Sequence, residues 1–146
     1  MLRKILLVLL LFFGSSIYAA DEKSQDDVKV EKTLKKMIRA YKNENLKAFF
    51  RHVSENRFQQ DFLDFADDVG EDLRVHTILS IDTWVDKITI DGKKRFIYIK
   101  WDKRYQSITD DAAKLSKEGT SMFLFDNIKG KYKLIDFSGD AFFGDT

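Results

Sequence analysis

The hydrophobic period changes once along this chain, and that single change excludes most folds. Up to Val69 the apolar residues recur at helical spacing. Val30, Leu34, Met37, Ile38 and Tyr41 fall at i, i+4, i+7, i+8 and i+11, one stripe of a long amphipathic helix with Lys35, Lys36 and Arg39 on its solvated side. Asp26 or Asp27 is placed to cap it. Asn43-Glu44-Asn45 interrupts the stripe: one Asn is suited to a left-handed helix end and the other to capping the next helix. Leu46, Phe49, Phe50 and Val53 mark a second helix. After a break at Ser54-Glu55-Asn56, Phe58, Phe62, Phe65 and Val69 mark a third, with Gly70 as its expected stop.

From Val75 the period approaches two. Val75–Val85 and Lys87–Ile90 read as strand pieces with a bend or bulge between them, and Asp91-Gly92 is a hairpin turn. Arg95–Tyr105, aromatic and β-branched with no Gly or Pro, has the strongest strand signal and is expected at the centre of an antiparallel sheet. Thr109–Ala112 is a second turn. Lys114–Ile128 is a third strand, with Gly119 marking a bulge or tight bend. Lys129-Gly130-Lys131 turns into a last strand, Tyr132–Ser138. Helices first and a meander afterwards give an α+β fold, the helices covering one face of a sheet of about four strands.

The first twenty residues stand apart. Arg3 and Lys4 precede the unbroken apolar run Ile5–Phe13, and Ile17-Tyr18-Ala19-Ala20 follows. This is the layout of a secretory signal peptide cleaved after Ala19 or Ala20. The run is shorter than the roughly 20 residues of a spanning helix, so no stable membrane insertion is expected after cleavage. With no Cys in the chain, a cleavage-site lipid anchor is excluded, and no Arg pair marks a twin-arginine signal. The expected organisation is a signal peptide at 1–20 and one domain at 21–146, periplasmic or secreted, held by its core without disulfides. Loss of Arg3 and Lys4 takes the net charge from +1 to −1. That balance argues against nucleic acid and against an anionic membrane surface. With only His52 and His76 and no Cys, a structural zinc site is not expected. No cofactor is indicated.

Three stretches carry a family likeness. Ile38-Arg39-Ala40-Tyr41 is followed by Asn43-Glu44-Asn45-Leu46. Ile99-Lys100-Trp101 ends in a long polar hairpin. Phe123-Leu124-Phe125, Gly130 and Tyr132-Lys133-Leu134 close the sequence. Together, from about Val28 to Phe143, they resemble the nuclear transport factor two-like, or cystatin-like α+β cone, superfamily, with Tyr132 where that family usually has Trp. The resemblance implies a curved sheet wrapped around the helices, with a cavity at its open end. It implies little about activity: such members include isomerases, dehydratases, hydrolases, transport factors, assembly domains and binding proteins.

The candidate pocket residues are Trp84, Tyr98, Trp101, Tyr132 and Asp136; packed core is the simpler role for any one of the aromatics. Tyr132, Leu134, Asp136 and Ser138 share one parity. If the first two face the helices, Asp136 points into the cone, where an apolar setting would raise its pKa and suit it to acid–base work. Ketosteroid isomerase uses acidic groups in such a cavity beside a Tyr donor. The simpler role for Asp136 is a solvated or ion-paired strand end. His76 and Asp82 share parity but stand roughly 20 Å apart on a straight strand, and Ser80 is misplaced for a triad with them. His52 reads as a boundary histidine, and Lys103, Arg104, Lys114 and Lys117 as a solvated hairpin face.

Three functions are carried forward. The first is an exported non-enzymatic domain that binds a small apolar ligand in its cone or a partner protein through its sheet. A homodimer or an envelope protein is the expected partner. The second is an isomerase- or dehydratase-type enzyme with Asp136 as base and Tyr98 or Tyr132 as donor. The third is a structural module of an envelope complex, its cone filled by Phe side chains.

Overall fold

In the computed structural model, residues 23–108 and 113–144 are described. The expected signal peptide and the turn at Thr109–Ala112 lie outside them. Helices α1 (Gln25–Lys42), α2 (Leu46–Phe50) and α3 (Phe62–Val75) precede strands β1 (His76–Asp91), β2 (Lys94–Ser107), β3 (Lys114–Ile128) and β4 (Lys131–Gly139). The strands form one antiparallel sheet in the order β1-β2-β3-β4. The fold is α+β: helices packed against one face of a curved meander. β2 is an inner strand paired on both sides, as its composition requires.

α1 buries Val30, Leu34, Met37, Ala40 and Tyr41. Its cap is Ser24, whose hydroxyl accepts from the Asp27 N–H; Asp26 and Asp27 sit in the first turn, where carboxylates favour the positive helix end. The left-handed residue after α1 is Glu44 (φ 57°), not an Asn. Asn45 caps α2 through a 3.0 Å bond from the Ala48 N–H. That cap holds a five-residue helix that seats the fully buried Phe49. Asn45→Ala is therefore expected to cost about 1 kcal/mol, read as a fall of roughly 0.5 M in the urea midpoint. An unchanged midpoint would mean that packing alone fixes α2.

Three expectations are corrected. Phe58 does not lie on the third helix: a short 3₁₀ turn, Glu55–Arg57, precedes it and α3 begins at Phe62. Gly70 does not end α3. A Cβ there would meet nothing, so its lack of one reflects no close packing. The helix runs on to Val75 because Asp72 and Leu73 in the next turn are buried. Gly119 is no bulge: it pairs with Trp101 in unbroken register, and its missing side chain leaves room for the Trp101 ring and Asp140, which a Cβ would meet at 2.8 and 2.7 Å. In β1 the register does shift between Val85 and Lys87, with a second shift between Ile78 and Ser80.

The core is aromatic. Phe49 touches Tyr41, Phe50, Phe65 and Phe143, while Phe58 stacks on Phe65 with ring centres 5.0 Å apart. The segment after α2 runs beside β4 and covers its outer edge. Leu134 donates to the His52 carbonyl, Ser54 to that of Leu134 and Gln59 to that of Ile135. An edge strand is thereby protected from pairing with other chains.

Candidate functional site

One end of the cone holds a buried polar cluster. The alternation of β2 turns Ile97, Ile99 and Trp101 inward and continues to Lys103, which is 3% exposed. Lys103 thus departs from the solvated hairpin face expected of it, because it shares the parity of the core residues before it. The last turn of α3 carries Asp72 to the same place, also 3% exposed. The Tyr41 hydroxyl at the end of α1 donates to Asp72 Oδ2. Lys103 Nζ lies 3.8 Å from that oxygen and donates to the Tyr41 hydroxyl at 3.4 Å and the Phe142 carbonyl at 3.1 Å. Asp72 Oδ1 is 2.9 Å from His76 Nδ1 at the start of β1, and the His76 ring stands edge-on to Tyr105. His76 thus meets Asp72, on the preceding helix, and not Asp82. A buried carboxylate demands this many partners, since an unpaired one is costly.

The chain itself fills the space beside this cluster. At the end of β4, Gly139 turns at φ 91°, where a Cβ would meet the Thr120 carbonyl oxygen at 2.6 Å. Asp140 then clips the tail to β3: its carboxylate accepts from the Thr120 N–H and its carbonyl from the Ser121 hydroxyl, which also accepts from Trp101 Nε1. Phe142 and Phe143 follow, 1% and 5% exposed. Phe142 packs edge-on to Trp101 and Phe123; Phe143 packs on Tyr41 and Phe49. Sequence periodicity gave no sign of these two, because they lie beyond any regular element.

The expected pocket residues do not converge on one site: Trp84 and Trp101 border a single shallow recess, whereas Tyr98, Tyr132 and Asp136 lie elsewhere. Trp101 and Tyr132 are buried, the first inside the cone and the second beneath the Arg95 guanidinium. Tyr98 and Trp84 belong to the sheet's outer face, where Trp84 is 57% exposed and Tyr98 half-buried. Asp136 is not aimed into the cone. A register shift in β4 leaves Ile135 unpaired, so Leu134 pairs with Phe125, Asp136 with Leu124 and Phe137 with Phe123. Past the shift it is Phe137 that packs on Phe58 and Phe65. The Asp136 carboxylate instead accepts from Gln60 Nε2 at 2.7 Å and from the Phe137 N–H at 2.9 Å. A bulge that reverses parity leaves no mark in an alternating sequence.

Among the described residues no group of three or more His, Asp or Glu is arranged to hold a metal ion, and no helix is long and apolar enough to cross a membrane.

No protein-family model matches the chain, and no curated protein matches it. Solved structures do. A nuclear transport factor 2-like superfamily protein from Salmonella enterica serovar Typhimurium superposes over 83% of this chain and 95% of its own, at 10% identity and a TM-score of 0.67. A conserved protein from Planctomyces limnophilus covers 77% of this chain and 92% of its own, at 11% identity and a TM-score of 0.67. A ketosteroid isomerase-like protein from Erwinia carotovora atroseptica covers 81% and 98%, at 8% identity and a TM-score of 0.64. At these identities the likeness is one of fold.

Proposed function

We propose, from the premise that this chain has the nuclear transport factor two-like cone fold, that it is an exported, periplasmic and non-enzymatic domain which binds a partner protein through the outer face of its sheet. The observation that carries this reading is the filled cone end. Phe142 and Phe143 are buried beside the cluster, and both Asp72 oxygens are engaged by the protein's own groups. The outer face, by contrast, presents Trp84 over a shallow recess shared with Lys100, Glu118 and Gly119. An exposed Trp beside a recess is the kind of anchor on which interfaces concentrate their energy. The export part of the proposal rests on Arg3, Lys4 and the Ile5–Phe13 run.

Native mass spectrometry of the mature protein from its own periplasm tests this. The expected result is a dimer or a complex with an envelope protein that Trp84→Ala dissociates. A monomer, with or without a small-molecule adduct, would overturn it.

A second reading has a specific observation in its favour: a carboxylate, a hydroxyl donor and an ammonium converge inside the cone at Asp72, Tyr41 and Lys103. In an isomerase- or dehydratase-type enzyme Asp72 would be the base and Tyr41 the donor, with the tail withdrawn to admit substrate. Turnover abolished by Asp72→Asn and retained by Asp136→Asn would establish that reading.

A further inference from the structure

We infer that the cleft between α1, the end of α2 and the β3–β4 turn is a binding site for a small molecule bearing two or more closely spaced phosphate groups. The cleft measures 420 Å³, within the usual range for small-ligand sites. It shares no lining residue with the cone-end cluster or with the recess beside Trp84. Cations converge on it from three separate segments. α1 supplies Lys29, Lys32 and Lys36, at i, i+3 and i+7 on one helix face; Arg51 follows α2; Lys131 and Lys133 open β4. A plain lysine face on a helix would have no opposing basic wall.

These charges are not neutralised by the protein. Elsewhere on the surface Lys35 meets Glu31, Arg57 meets Asp126 and Arg74 meets Glu71. In the cleft only Lys29 has a carboxylate nearby, Asp26 at 3.8 Å. Among the described residues the other five cations have none within 4.0 Å, and no Asp or Glu lines the cleft. The half-buried His52 in its wall registers the field: burial lowers its pKa first, and Lys36, Arg51 and Lys133 lower it further. The chain as a whole is nearly neutral, so this is charge gathered into a concavity, which focuses potential on an anion.

Five unpaired cations decide the ligand's class. One carboxylate would offset a single charge, whereas two or three adjacent phosphates match the set. Lys ammoniums meet phosphate as point charges and the Arg51 guanidinium can take two oxygens at once. Thr33 also lines the cleft, its hydroxyl donating to the Lys29 carbonyl at 3.0 Å.

Calorimetric titration of the mature chain with inorganic tripolyphosphate tests the inference, alongside phosphatidylglycerol vesicles at equal phosphate. One-site binding to tripolyphosphate is expected, weakened about tenfold or more by Lys36→Glu with Lys133→Glu and weakened by salt. The His52 ring, followed by NMR, is expected to protonate at higher pH once the phosphate offsets its neighbours. Lys36→Gln with Lys133→Gln gives the same test should the charge reversals perturb folding. Binding that neither variant pair changes, or no binding at all, overturns the site. Retention on vesicles without tripolyphosphate binding also overturns it, in favour of a lipid surface.

Discussion

Phe142→Ala is expected to remove about 3–5 kcal/mol of stability, because a fully buried ring is replaced by a cavity. The ring packs on Trp101 of β2, Phe123 of β3 and Phe143, which in turn packs on Phe49 of α2. Domains of this size have about 5–15 kcal/mol in total. A single change should therefore lower the urea midpoint by roughly 2 M. Changing Phe142 and Phe143 together should leave a chain that retains helix and strand but binds hydrophobic dyes. Phe142→Leu, which keeps most of the volume, should cost less than half as much. If Phe142→Ala moved the midpoint by less than about 0.5 M, the tail would not be seated in the cone in solution.

Lys103→Met is expected to cost a similar amount, about 3–5 kcal/mol, for a different reason. The substitution preserves the buried stem but removes the cation beside Asp72, and the Phe142 carbonyl also loses its donor. Only Tyr41 and His76 would then face a buried carboxylate. Adding Asp72→Asn should recover part of the loss, since a neutral amide still accepts from Tyr41. The double-mutant cycle measures the coupling directly. Additive losses would mean that Lys103 and Asp72 are neighbours without interacting.

The fold was legible because its signals are periodic. The switch of period near residue 70, the Asp91-Gly92 turn and the break in β1 between Val85 and Lys87 each have a local cause in the sequence. The cone-end cluster was not legible as a site, although half of its signal was present. The inward parity of Ile97, Ile99 and Trp101 extends to Lys103. Charged neighbours at Asp102 and Arg104 disguised it as part of a wet hairpin. Asp72 stayed hidden because Gly70 resembles a helix stop, yet Gly70 does not take the positive φ of a capping glycine and the helix continues through it. Asp136 was misdirected by counting in twos across a bulge that only pairing with β3 reveals. The basic cleft joins residues far apart in sequence, so no window along the chain contains it.

The tail that closes the cone also sets an order of events during synthesis. Among the described residues, the helices and strands all precede Phe142 and Phe143 in the chain, and these two belong to the aromatic core. Until they are made, Trp101, Phe123 and Tyr41 lack the rings that pack on them in the folded domain. For the export proposed above that order is favourable. A core that depends on Phe142 and Phe143 is expected to close only after that pair is in place.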